Sequence, residues 1–92
     1  MEENTKTNWE KEILEQIGFT IKLYRLKSKL RCNVLAKCVN ISRNTLWNIE
    51  QGKRFSLPTI INICETLKIR PTTLFIEAIL NIESNQTKDS DR

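Results

Sequence analysis

Apolar residues recur along this chain at intervals of three and four, which is the period of an α-helix and not of a strand. Trp9, Ile13, Ile17, Ile21 and Tyr24 follow one another at that spacing behind Asn8, a residue suited to cap a helix. Leu23, Leu26 and Leu30 form a second row. Gly18 interrupts the run and leaves two readings open: one long helix to about Lys29, or a short helix followed by another. The next apolar group, Val34, Leu35, Cys38 and Val39, predicts a helix over 32–39, with Asn40 able to turn left-handed just past its end. Ser42 can cap a third helix carrying Leu46 and Ile49, which Gly52 ends. Two short helices joined by so brief a turn cannot lie comfortably antiparallel, so they are expected to cross steeply.

Ser56, with Pro58 in the first turn, opens a fourth helix whose buried stripe is expected to be Ile60, Ile61, Ile63, Cys64 and Leu67. Pro71 opens a fifth, expected over 71–82. From Leu74 to Ile82 apolar residues surround most of that helix, more than one buried stripe requires. The excess points to a second buried face against a copy of the chain, with Phe75, Ile76, Ile79, Leu80 and Ile82 as the interface. The pattern therefore predicts a single all-α domain of five helices over residues 9–83. Residues 1–8 and 84–92 are almost wholly polar and are expected to be disordered tails.

Composition narrows the function. There is no histidine, which removes the commonest general base and metal ligand, and no Gly-rich phosphate loop. Cys32, Cys38 and Cys64 form no C-x-x-C pair. Neither an enzyme, a metal site, a cofactor nor a small-molecule ligand is expected. No apolar run is long enough for a membrane span and no signal peptide is evident, so the expected compartment is the cytoplasm.

The net charge of +4 conceals a segregation. Residues 1–18 carry a net −3, residues 19–54 a net +8 with Glu50 as their only acid, and residues 55–92 a net −1. A basic stretch of this kind is either a solvated face or a site for a polyanion. The polar side chains Arg43, Asn44, Trp47, Asn48 and Gln51 recur opposite Leu46 and Ile49. Arginine pairs with guanine O6 and N7, and asparagine with adenine N6 and N7, so this face has the chemistry of major-groove readout.

Taken together, Arg25, Leu35-Ala36, Ile41-Ser42, Leu46, the run Ile49-Glu50-Gln51-Gly52-Lys53, Leu67 and Leu74-Phe75 resemble the Xre/Cro-type, lambda-repressor-like helix-turn-helix family of DNA-binding regulators. The resemblance covers Ile21 to Phe75 and implies a sequence-specific, double-stranded DNA-binding regulator. It implies that Arg43, Asn44 and Asn48 meet base edges, with Thr45 and Trp47 adjacent, and that Arg25 and Glu50 form a structural ion pair. Phosphate contacts are expected from helix starts and nearby bases: Arg31, Cys32, Asn33, Ser42, Thr45, Gln51, Lys53 and Arg54.

The chain also departs from the family. Cys32 stands where a glutamine usually grips the DNA backbone, and it is either a passive small side chain or a thiolate that senses oxidant. Lys29, Asn40 and Lys68 stand where glycine often ends helices. The expected function is a homodimeric repressor or autoregulator whose recognition helix, 42–51, reads an inverted-repeat operator. The alternative is a protein-interaction or antitoxin-type module that works through helix five.

Overall fold

Where the periodicity left one helix or two open before Lys29, the structure has one: α1 runs Glu2–Lys27. A computed structural model describes the backbone of residues 2–90 and the side chains of residues 9–83. Asn8 therefore lies inside α1 and not at its start, and its side chain, like the tails expected at 1–8 and 84–92, falls outside the described side chains. Four helices follow: α2 (Cys32–Cys38), α3 (Arg43–Glu50), α4 (Leu57–Leu67) and α5 (Pro71–Ser90). The described residues contain no strand, and the fold is all-α, as the periodicity predicts.

Gly18 does not break α1 because its lack of a side chain serves tertiary packing. A Cβ at this position would run into the Ile49 carbonyl oxygen and sit 3.0 Å from that of Glu50. The helix accepts the intrinsic cost of a glycine so that its backbone can press against the carboxyl end of α3.

The core draws on all five helices. Ile17 and Ile21 of α1, Leu35 and Ala36 of α2, Leu46 and Ile49 of α3, Ile60, Ile63 and Cys64 of α4, and Leu74 and Ala78 of α5 are all buried. Ala36 is small between crossing helices, and Leu35, Leu46 and Ile49 fill the angle around it. α1 packs chiefly on α5 and α3, and α2 on α3.

Several residues expected inside are outside. Trp9 and Ile13 are exposed because only the second half of α1 overlies the core; they flank Ile79 and Ile82 of α5 in an open cleft. Leu23 and Leu26 are exposed because a helix on one core buries one stripe, and Ile17 and Ile21 occupy it. Val34 and Cys38 lie off the narrow flank by which the short α2 docks. Ile61 is turned by about 100° from the buried Ile60 and misses the stripe for the same reason.

The helix ends follow capping chemistry. Ser42 Oγ accepts the Thr45 amide at 3.0 Å, and Ser56 Oγ accepts that of Thr59 at 3.4 Å. Lys29, Asn40 and Lys68 adopt left-handed φ of 59°, 60° and 61°, as their positions predict. Each is followed by an amide that reaches five residues back: Leu30 to the Arg25 carbonyl, Ile41 to that of Ala36, and Ile69 to that of Cys64. Those bonds offset the steric cost of a left-handed lysine.

Candidate nucleic-acid interface

α3 is a helix of two faces. Leu46, Ile49 and Glu50 are buried, whereas Arg43, Asn44, Thr45 and Trp47 are exposed and Asn48 is half-buried. The five side chains are spaced so that the polar face is continuous for two turns. Gln51, the C-cap, is exposed at its end. Trp47 is 51% exposed, although burying an indole is ordinarily favourable.

The start of α3 is braced by its own hydroxyls. Ser42 Oγ lies 2.8 Å from Thr45 Oγ1 while it also accepts the Thr45 amide. When Thr45 donates to Ser42, the Ser42 proton remains free to point outward. The residues expected to hold phosphates flank this element: Arg31 and Asn33 at the opening of α2, and Lys53 and Arg54 after α3, are all exposed. Arg31 provides no side-chain cap for α2.

The Arg54 guanidinium lies 3.0 Å from the Glu10 carboxylate of α1. Sequence reasoning missed this contact, because nothing local relates residues 10 and 54. Nearby, a Cβ at Gly52, which has φ of 96°, would stand 2.7 Å from Glu15 Cγ. The acidic first half of α1 therefore lies directly beside the basic loop.

Cys32 is turned inward. Its thiol is half-buried and points at the Arg43 carbonyl, with Sγ to O at 3.9 Å. Burial pushes the thiol up from its ordinary range, the Glu50 carboxylate adds to the rise, and Arg25 and Arg43 oppose it. The direction is opposite to the one a reactive thiolate needs, and the half-buried side chain packs between α2 and α3 as a small group against the core. Cys64 is fully buried in the core and likewise pushed up by burial.

Behind the polar face, Arg25 and Glu50 meet. Arg25 Nε donates to Glu50 Oε2 at 2.7 Å and Nη2 to Oε1 at 3.1 Å, while Nη1 donates to the Leu30 carbonyl at 2.8 Å. The two side chains are 11% and 3% exposed. Hydrogen bonding to Glu50 raises the Arg25 pKa, and desolvation opposes the rise without cancelling it. The pair joins helix one to the carboxyl end of α3, with Leu30 of the following turn as third anchor. Another tie missed by sequence reasoning joins α1 to α5: Tyr24 donates to Glu77 Oε2 at 2.6 Å, which raises the phenol.

On α5, Ile76, Ile79 and Leu80 are exposed. Phe75 is half-buried and packed against the core, because it neighbours Leu74 on the inner side, and Ile82 is half-buried.

Residues 21–76 match the Cro/C1-type HTH DNA-binding domain, more than half of the chain. The chain belongs to that family. It is a DNA-binding helix-turn-helix protein of the transcription-regulator kind. Several solved structures share its fold, among them three regulators. The clp gene regulator ClgR from Corynebacterium glutamicum is 20% identical, with a TM-score of 0.79 over 85% of this chain and 84% of that one. The restriction-modification controller protein C.AhdI from Aeromonas hydrophila is 27% identical, with a TM-score of 0.65 over 67% and 96%. The restriction-modification controller protein C.Esp1396I is 23% identical, with a TM-score of 0.70 over 78% and 95%. No curated protein sequence matches the chain.

Proposed function

We propose that this protein is a homodimeric, non-catalytic, cytoplasmic transcriptional repressor or autoregulator that binds an inverted-repeat operator through the helix of residues 42–51. The observation that carries the reading is the two-faced α3, whose exposed Arg43, Asn44 and Trp47 and half-buried Asn48 sit in the most basic stretch of the chain while its other face is locked into the core. Arg43, Asn44 and Asn48 meet base edges, and Trp47 packs on a thymine methyl or a sugar. Arg31, Asn33, Ser42, Thr45, Gln51, Lys53 and Arg54 hold phosphates. Cys32 contributes there through its backbone amide, since its thiol faces the Arg43 carbonyl. The dimer closes through Ile76, Ile79 and Leu80, with Phe75 and Ile82 at the edge. Two recognition helices then enter successive major grooves about 34 Å apart.

Restriction-modification controller proteins are among the proteins of this fold, and we extend a controlling role of that kind to this chain. No helix of the described residues is long and apolar enough to cross a membrane. The exposed Ile76, Ile79 and Leu80 also favour a second reading, an interaction or antitoxin-type module with DNA binding secondary.

Fluorescence anisotropy on a duplex from the protein's own upstream region, beside a scrambled duplex, at low salt and at about 200 mM, tests the reading. Preference for the native duplex at the higher salt supports it. The loss from Arg43→Ala or Asn48→Ala should be about 1–3 kcal/mol on the native duplex and much smaller on the scrambled one. Absence of binding even at low salt would overturn the DNA reading and leave the interaction module.

A further inference from the structure

Beyond the α5 surface, α1 carries an apolar row that its own core does not use. Phe19, Leu23 and Leu26 are 48%, 41% and 52% exposed. With Glu12 and Gln16 they occupy positions 12, 16, 19, 23 and 26, a spacing of four and three in alternation, which is the heptad seam of paired helices. At about 100° per residue the five fall within an arc of about 80°. Leu23 shares one cleft with Leu80 of α5, so the row is continuous with the surface by which the dimer is proposed to close.

Charge along α1 selects the occupant of that row. Among the exposed charges of α1, Glu10, Glu12 and Glu15 with the single base Lys11 precede Gly18, whereas only the bases Lys22 and Lys27 follow it. A parallel copy would set acid beside acid and base beside base, whereas an antiparallel copy crosses them. Glu15 and Lys22 lie on one edge of the row and are nearly equidistant from Phe19. A two-fold axis at Phe19 therefore brings Glu15 of each copy against Lys22 of the other. Self-complementarity about an axis is what a closed two-fold contact requires.

We propose that α1 of one copy pairs antiparallel with α1 of a second copy along the seam centred on Phe19, with reciprocal Glu15–Lys22 ion pairs setting its register. This rests on the homodimer reading and adds to the α5 contact a seam that falls mainly on the part of α1 preceding and opening the DNA-binding domain.

The full-length chain and its Glu15→Lys and Lys22→Glu variants are compared by sedimentation equilibrium, each alone and as an equimolar mixture. Each variant alone faces like charges at both pairs, and its dimer should weaken by about tenfold or more. Mixed, one copy's lysine at 15 meets the other's glutamate at 22 and the reciprocal pair is wild type, so the mixture should recover the wild-type dissociation constant. The Glu15→Lys/Lys22→Glu double variant should recover it as well. Recovery by mixing cannot arise from a variant that misfolds. If the wild type dimerises and both variants do so equally well, or if neither mixture nor double variant recovers, the α1 seam is wrong while the α5 dimer stands. If the wild type is a monomer at every concentration, the homodimer reading itself fails and the seam fails with it.

Discussion

Glu50→Ala removes the acceptor of two charge-assisted hydrogen bonds from Arg25, at 2.7 and 3.1 Å. The guanidinium cannot follow the lost charge into water, because the Arg25 side chain is only 11% exposed and tethered to the Leu30 carbonyl. Truncating one member of a buried pair costs about 3–5 kcal/mol, because the other is left charged and unpaired. The retained bond to Leu30 and the residual solvent contact place this substitution at the lower end, about 3 kcal/mol. In a domain of this size each kcal/mol corresponds to roughly 4–8 °C, so thermal denaturation followed by circular dichroism should show a fall of roughly 12–24 °C. Replacing both residues with apolar ones of similar volume, Arg25→Met with Glu50→Leu, should recover much of the loss, since no charge is then stranded. The arginine contributes no pH dependence near neutrality. Its pKa is raised in the fold, so its contribution is complete below its unfolded value and is lost only above that already very basic range. A melting temperature for Glu50→Ala within about 2 °C of wild type, against the roughly 12 °C minimum expected from the size scaling, would refute the reasoning.

Gly18→Ala should lower the melting temperature although alanine is the better helix former, because the added methyl meets backbone carbonyls of α3 that cannot yield; about 1–3 kcal/mol is expected from calorimetry. Glu10→Gln should tighten binding to any duplex about 2–3-fold at low salt, as Arg54 is freed for a phosphate, and the gain should vanish in an Arg54→Gln background. The Tyr24 phenol is raised above its ordinary 10.0, chiefly by donating to Glu77, so the neutral form is favoured by folding. The stabilisation is therefore complete below pH 10 and lost as pH climbs through the folded value, and melting temperatures across that range should fall more steeply for wild type than for Tyr24→Phe. With its thiol held protonated by burial, Cys32 should be inert, and anisotropy after peroxide treatment should match that before it. A loss of binding that Cys32→Ser prevents would reverse that assignment.

Helices are legible in this sequence because their causes are local. The three-and-four spacing of apolar residues, the serines at 42 and 56 that cap, and the residues at 29, 40, 52 and 68 that turn left-handed each act within a few positions of themselves. The polar face of α3 was legible for the same reason, since two turns of helix suffice to set Arg43, Asn44, Trp47 and Asn48 opposite Leu46 and Ile49. Burial was not. Trp9, Ile13, Leu23, Leu26, Val34 and Ile61 obey the helical period, yet they lie outside because the core touches each helix along one stripe of limited length. Which stripe it touches depends on partners far away in the chain.

From local order alone, then, the sequence determined the helical segments, the serine caps of α3 and α4, the left-handed exits at 29, 40 and 68, and a polar face with the chemistry to read base edges. Only the tertiary structure decided what those helices meet. It made Gly18 a point of close approach instead of a break, turned the half-buried Cys32 thiol toward the Arg43 carbonyl, set Glu10 against Arg54 and Tyr24 against Glu77, and left an apolar row on α1 uncovered. Each is a contact across many residues, and its energy depends on distance, desolvation and room for a side chain, none of which any local pattern encodes.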